Sequence, residues 1–309
     1  MCIPRSQWES RIKAEAFRVG FDDCGIAKVH FLEDEAKRLE LWLKKGAHGD
    51  MHYMEKHFDK RLNPKLLMSE AKSLIMLSYN YFPPKDLSKT SGAKIARYAY
   101  GNDYHFVVKA KLNMLLSRLR GLIGDFHARV FVDSAPIMER IWAKRAGIGW
   151  TGKHTLLINK RKGSYFFIAE ILCDLILEGD PPATDHCGTC TRCIDACPTQ
   201  AIKPQGYLNA KQCISYWTIE MKDKSKFKNT HQWLFGCDIC QEVCPWNRHA
   251  TPHQDPNLRP NLNILGKTTQ DWLNLGNNQF KQLCKTSPLK RATHKGIRQT
   301  AQWLKKQNK

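Results

Sequence analysis

The sequence has no apolar run long enough to cross a bilayer; its longest apolar stretches are strand-sized. The N-terminal stretch MCIPRSQWESRIKAEAF lacks an export signal's apolar core and small-residue cleavage site. The run GIGWTG (147–152) has the G-x-G-x-x-G spacing but leads into the strand-like run 155–159 and opens no helix, and His154 stands where a P-loop needs Ser or Thr. No internal repeat is found beyond two cysteine clusters. These absences exclude a membrane-spanning helix and lead to the expectation of a cytoplasmic protein. Acidic residues are also scarce: 29 Asp and Glu stand against 49 Lys and Arg, for a net charge of +20. From 281 onward there are nine Lys or Arg and no acid. Such an excess suits a polyanion, either nucleic acid or an anionic membrane surface. A generically basic protein is the bland alternative.

What is present suffices for a large core. The chain has 309 residues, 42% of them hydrophobic, enough for two domains or one large domain with a small attachment. Ser6 with Glu9 reads as a capping box before a helix whose apolar positions are Trp8, Ile12, Ala16 and Val19, ended by Gly20. Residues 33–45 and 103–120 read as two more amphipathic helices. Short β-branched and aromatic runs at 73–82, 128–133, 155–159 and 164–172 read as strands, and 82–94 as a surface loop. Helices mixed with buried strands predict an α+β (mixed α/β) sheet domain over 1–180. GDPPATDH (179–186) marks its end. A cysteine-rich domain is expected over 181–250, and a short basic helical tail over 251–309.

Eight of the twelve cysteines fall between 187 and 244. Cys187, Cys190, Cys193 and Cys197 precede Pro198 in the C-x2-C-x2-C-x3-C-P spacing of [4Fe–4S] ferredoxins. Three thiolates three residues apart can wrap an iron–sulfide cube on a loop, and in two-cluster ferredoxins the fourth serves the other cube. Cys237, Cys240 and Cys244 repeat the motif without its first cysteine, because Leu234 stands there; Cys213 can supply the missing ligand. Exchange of the fourth ligands predicts one cluster on Cys187, Cys190, Cys193 and Cys244, and another on Cys197, Cys213, Cys237 and Cys240. Zinc is the competing reading, but all-cysteine zinc sites show paired CxxC knuckles at wider separation. Of the single cysteines Cys2, Cys24, Cys173 and Cys284, Cys173 lies in an apolar run and reads as a small buried hydrophobe.

The runs VDSAPIMERIWAKRAGIGWTGKHTLLINKRKGSYFFIAEIL (132–172), CGTCTRCIDACPTQAI, LNAKQCISYWTIE (208–220) and FGCDICQEVCPWN (235–247) resemble the epoxyqueuosine reductases, collinearly over roughly 10–250. The resemblance implies a cobalamin-dependent enzyme, its catalytic domain similar to that of the reductive dehalogenases, its cluster domain ferredoxin-like. It implies the last step of queuosine synthesis: reduction of the epoxide on the modified wobble guanosine of tRNA. An external low-potential electron donor and a monomeric enzyme are also expected. There is no DxHxxG motif, so no protein histidine is expected to replace cobalamin's lower base.

By the resemblance, Asp133 is the proton donor and a cofactor contact; otherwise Asp133 or Ser134 could cap a helix starting near Pro136. Arg61, Ala96, Leu157, Ile168 and Ser215 match positions at the cofactor, although read alone they are a surface charge, core residues and a loop serine. Three glycines in AGIGWTGKHTLLI can admit a ligand to the backbone. His154 stands where the family often has Asn, and Ser134 where it has Thr. Longer members carry HEAT-like helical repeats; only one or two such helices are expected here. Lys222 and Lys224, in KDKSKFK (222–228), are expected to grip tRNA phosphates, with a solvent loop as the alternative. Tyr216 and Trp217 are near enough to stack on an unpaired base. Two other functions share these features. A reductive dehalogenase acting on a small organohalide would use the same cofactors without needing a basic surface. An iron–sulfur electron-transfer protein would not need the first 180 residues.

Overall fold

A computed structural model describes residues 3–84, 93–227 and 229–307. Most of the 82–94 loop lies outside them, as does Cys2. The sheet is built from β1 (Asp23–Lys28), β2 (Ser73–Asn80), β3 (Ala128–Phe131) and β4 (Phe166–Cys173); β2, β3 and β4 coincide with runs read as strands, and β1 is a strand the sequence reading does not contain. The order is β1-β2-β4-β3, antiparallel throughout, with Glu170 of β4 opposite Met76 and Phe131. Of the 155–159 run, Leu157–Ile158 pairs with Trp150–Thr151 in a separate two-stranded piece, and Asn159 bridges to Gly163.

Period-two alternation gives β4 two different faces. Phe167, Ala169, Ile171 and Cys173 join a core with α1 (Trp8–Val19) and α3 (Tyr104–Ile123). Phe166, Ile168 and Leu172 join the opposite core, with α2 (Glu33–Lys44) and α4 (Glu139–Arg145). The capping box at the start of α1 does not form: Ser6 lies inside a 3-10 turn, and Glu9 instead accepts the Glu178 N–H at 2.9 Å.

Gly25 on β1 is where the second face is tightest. A Cβ there would stand 1.9 Å from the Ala146 carbonyl oxygen, just past α4. Gly25→Ala is therefore expected to push α4 off the sheet and cost about 1–3 kcal/mol. Gly121 in α3 is the control: a Cβ there meets nothing within 4 Å. Gly121→Ala is expected to stabilise by about 0.5–1 kcal/mol. Thermal unfolding of both variants checks the pair.

Residues 187–247 wrap the eight cysteines around short helices at Arg192–Asp195, α5 (Ile214–Ile219) and Ile239–Glu242. A buried junction fastens them to the sheet domain. The Arg97 backbone N–H donates to Asp238 at 2.7 Å, and its guanidinium reaches Asp238 at 3.3 Å and Glu242 at 2.7 Å. The C-terminal part holds more helix than expected, with segments at 262–265, 269–274, 277–283 and 293–307. The last of these, α6 (Thr293–Gln307), packs Ile297, Ala301 and Leu304 against Ile95, Tyr100, Leu234 and Phe235, so this part shares a core with both earlier regions. Among the described residues no helix is long and apolar enough to cross a membrane.

Candidate functional site

Two concavities and two sulfur groups lie where the sheet domain meets the cysteine-rich unit. Asp133 follows β3 in the left-handed region, at φ +49°. Two partners hold it there. Tyr104 donates its hydroxyl to Asp133 Oδ2 at 2.5 Å, and the Asp133 N–H donates to Glu139 Oε1 at 2.7 Å. Tyr104 is fixed in turn by stacking on Phe167, with ring centroids 4.1 Å apart. The Asp133 side chain is 61% exposed, and it caps no helix: α4 begins at Glu139 after Met138, with no side-chain cap. The capping alternative is thereby removed for Asp133 and Ser134.

Asp133 sits among charges. His105 Nε2 is 3.9 Å from its carboxylate, while His105 Nδ1 lies 2.6 Å from Asp103. Burial opposes ionisation of Asp103, but hydrogen bonds from His105 and Lys290 outweigh it and hold its pKa down to about 2. Arg61 lies close enough to feel both Asp133 and Glu139, and burial lowers its pKa. Its Nη2 donates to the Tyr53 carbonyl at 3.2 Å, and its Nε is buried without a partner. Glu139 is half-buried and Arg140 is exposed. Leu157 and Ile168 pack in the core on this side of the sheet.

The cysteines fall into two neighbourhoods. Burial pushes Cys193 up to about 11, and its charged neighbours are Cys244, Cys187 and Cys190. These four line one small cavity with Lys153, His154 and Trp246. Burial likewise raises Cys237, whose sulfur neighbours are Cys213 and Cys197, and Cys240, whose nearest are Cys237 and Cys213. Cys193 also acts on Cys240, so the two groups adjoin. Among the described residues no three cysteine sulfurs lie mutually within 4.8 Å. Four thiolates on one zinc at ~2.3 Å would stand about 3.8 Å apart. Sulfurs that enclose a space rather than a point suit an iron–sulfur cube.

Several N–H groups aim at these sulfurs. Trp150 Nε1 reaches Cys187 Sγ at 3.5 Å and the Ala201 N–H reaches Cys197 Sγ at 3.3 Å. The backbone N–H groups of Ser215 and Tyr216 donate to Cys213. Ser215 therefore serves the second sulfur group through its main chain. Ala96 lies on the same side: its N–H donates to the Phe235 carbonyl at 2.8 Å, and a Cβ on Gly236 would meet its Cβ at 2.5 Å. The expected cofactor positions thus divide. Arg61, Asp133, Leu157 and Ile168 stand on the sheet side; Ala96 and Ser215 stand on the cysteine side.

A cavity of about 860 Å³ opens beside the second sulfur group, lined by Gly49, Asp50, Thr199, Tyr216 and Lys222 among others. Asp133 is not in its lining. The segment 46–62 connects the two places, with Gly49 and Asp50 in the cavity wall and Arg61 near Asp133. Lys222 is exposed at this cavity, its backbone N–H on Asp50.

Four expectations are corrected. Lys224 is buried, its ammonium donating to the Trp217 and Thr218 carbonyls at 3.0 and 2.9 Å, so it closes α5 instead of meeting phosphate. Tyr216 and Trp217 are core residues, 6% and 3% exposed, and are not free to stack on a base. The glycine turn approaches protein and not a ligand: a Cβ on Gly149 would stand 2.1 Å from the Ile158 carbonyl oxygen. The basic residues that open the last segment are paired: Arg291 grips Glu220 with two 3.1 Å hydrogen bonds, and Lys290 pairs with Asp103 at 2.7 Å. His154 is buried, accepts the Leu156 N–H on Nδ1, and leaves Nε2 without a partner.

Sequence reasoning missed Tyr104, Glu139 and Glu170. The last had a visible signal, a single acid inside an otherwise apolar strand; the other two are identified only by their contacts.

Comparison with known proteins agrees with this arrangement. Residues 61–134 match a family model described as "Epoxyqueuosine reductase QueG, DUF1730", and 186–247 match a 4Fe-4S double cluster binding domain. An epoxyqueuosine reductase of Cellulophaga algicola is 48% identical, covering 95% of this chain and 97% of that protein. One from Leadbetterella byssophila is 50% identical, covering 96% and 98%. A crystal structure of epoxyqueuosine reductase with an epoxyqueuosine-modified tRNA-Tyr stem loop superposes with a TM-score of 0.84 at 31% identity, over 96% of this chain and 80% of that one. The Bacillus subtilis enzyme with its catalytic aspartate loop swung out of the active site gives 0.85 at 30% identity, with the same coverages.

Proposed function

Because the chain belongs to the epoxyqueuosine reductase family, we infer that it reduces epoxyqueuosine to queuosine in tRNA. One observation carries this reading: the match to proteins of that name runs the length of both chains at 48–50% identity. The eight cysteines would hold two [4Fe–4S] clusters in the exchanged pairing. Their grouping supports it, as do the N–H groups aimed at the sulfurs, since such bonds tune cluster potentials.

The sheet side of the junction also offers a cobalamin a polar anchor: the buried donor Arg61 Nε, close to Asp133, lacks an acceptor, which the amides and carbonyls of such a cofactor could provide. The cavity of about 860 Å³ is lined by none of the expected cofactor positions. Arg61, Ala96, Leu157, Ile168 and Ser215 would hold it. Bound there, these groups would supply low-potential electrons, received from an external donor.

The chain's own part is proton supply and placement. Opening an epoxide puts negative charge on oxygen, and a carboxylic acid in reach lowers that barrier. Asp133 is that acid in this reading. Tyr104 and Glu139 aim it, and the left-handed backbone turns it out of the sheet end. Seating the RNA loop over Asp133 would exclude water from the reacting oxygen.

The test is anaerobic incubation of reduced, cofactor-loaded protein with epoxyqueuosine-containing tRNA, read by nucleoside mass spectrometry; no queuosine would end the reading. Lys222 is the phosphate contact that remains. Lys222→Ala is expected to weaken tRNA binding and reduce the slope of log affinity against log salt by about 1. Titrations at several salt concentrations check it, and an unchanged slope removes Lys222 from the interface.

A further inference from the structure

The two-stranded piece of Trp150–Thr151 and Leu157–Ile158 turns through residues 152–156, and this turn is docked on the first cysteine loop. Its own backbone closes it: the Gly152 N–H donates to the Leu156 carbonyl and the Thr155 N–H to the Gly152 carbonyl, both at 2.8 Å. Two side chains of the piece then reach the sulfur loop. Trp150 Nε1 donates to Cys187 Sγ at 3.5 Å. Lys153 Nζ donates to the Gly188 and Cys190 carbonyls at 2.8 and 2.9 Å.

A third side chain, His154, stands in the same turn with a donor unspent. It is 3% exposed. Its Nδ1 accepts the Leu156 N–H at 3.2 Å, so that nitrogen carries no proton. The ring is therefore neutral, with its one proton on Nε2. Nε2 is sealed from solvent and has no hydrogen-bond partner. A buried N–H without an acceptor is costly, and such a group marks a place where a partner belongs. His154 lines one small cavity with Cys187, Cys190, Cys193 and Cys244. A group bound among those four sulfurs is the acceptor this N–H lacks.

We propose that His154 Nε2 donates a hydrogen bond to the [4Fe–4S] cluster held by Cys187, Cys190, Cys193 and Cys244, and so raises the potential of that cluster. This rests on the reading of the eight cysteines as two cluster sites. Reduction adds one electron, taken from the external one-electron donor, and breaks no bond. The negative charge of the cluster grows by one, and an N–H aimed at sulfur in a site closed to water stabilises it. The second sulfur group draws its donors from elsewhere, the backbone N–H groups of Ala201, Ser215 and Tyr216. Loss of the His154 donor should therefore reach one cluster and spare the other.

The test uses the full chain with both clusters loaded, as parent and as His154→Leu, which keeps an apolar side chain in the site and removes the donor. Redox titration followed by electron paramagnetic resonance gives the two potentials. In His154→Leu one potential should fall until reduction is about ten-fold less favourable, about 59 mV for one electron. In the parent labelled with ¹⁵N-histidine, pulsed spectra of that same cluster should show a coupled nitrogen and a coupled proton that exchanges in D2O. Both couplings should vanish in His154→Leu. Potentials equal to the parent's, a fall shared by both clusters, or a nitrogen coupling that survives His154→Leu overturns the proposal. If His154→Leu does not load its clusters, the couplings decide in His186→Gln, which lacks the exposed histidine beside Cys187: they persist there or the proposal falls. A parent chain that binds no iron removes the cluster reading and this proposal together, whereas unmoved potentials in a fully loaded His154→Leu remove only the proposal.

Discussion

Asp133→Asn is expected to slow queuosine formation by about 10²–10⁴-fold, with iron content, cobalamin binding and unfolding temperature unchanged. Asparagine is the informative replacement for three reasons. It keeps an oxygen to accept the 2.5 Å hydrogen bond from Tyr104. It tolerates the +49° φ at this position better than most residues. And it retains the main-chain N–H that Glu139 holds at 2.7 Å. Only the transferable proton is lost. Alanine would also leave a turn of lower intrinsic fitness, so its effect would mix strain with chemistry. Nucleoside mass spectrometry under single-turnover conditions gives the rate. A variant as fast as the parent would place the proton source elsewhere.

Cys213→Ser is expected to abolish turnover and lower bound iron from about eight to about four per chain. The argument lies in what Cys213 holds together. It begins α5, takes N–H bonds from Ser215 and Tyr216, and lies beside Cys237 and Cys197. Cys197→Ser should give the same iron count and the same residual spectrum by electron paramagnetic resonance, although Cys197 stands in the first motif. Cys193→Ser should leave the other spectrum. If Cys197→Ser matches Cys193→Ser instead, the exchanged pairing is wrong and each motif serves its own cube.

The parts legible in the sequence were those with local causes. Three of the four sheet strands are apolar runs whose composition needs no context, and α1 to α3 follow helical periodicity; β1, DCGIAK, is short and carries a charge at each end and a glycine within, so it was not legible. The grouping of the eight sulfurs follows from spacing plus one rule about fourth ligands. The errors share another cause. Ser6 had a capping pattern, but a 3-10 turn took its place and Glu9 was drawn to a backbone 169 residues away. Lys224 sits in a lysine-rich stretch that reads as solvated, yet the carbonyls closing α5 and the Thr300 hydroxyl claim its ammonium. Lys290 and Arg291 look like a free basic face until Asp103 and Glu220 are placed beside them. For Glu9, Lys290 and Arg291 the partner is distant in sequence, and for Lys224 it is a helix end six and seven residues back together with distant Thr300; one chain read alone contains no record of such partners. Asp133 was visible as a polar end to an apolar strand. Its clamp was not, because Tyr104 and Glu139 reach it from two separate helices.

The crossed ownership of the sulfurs proposed above bears on how the chain would mature. In that pairing neither cube would have all four anchors until synthesis had passed Cys240 for one and Cys244 for the other. A ribosome-bound fragment ending after Pro198 would hold a full ferredoxin-like motif yet lack a finished site. Metal loading would thereby be deferred until both loops had emerged, and a half-made polypeptide would offer assembly factors no complete pocket to fill.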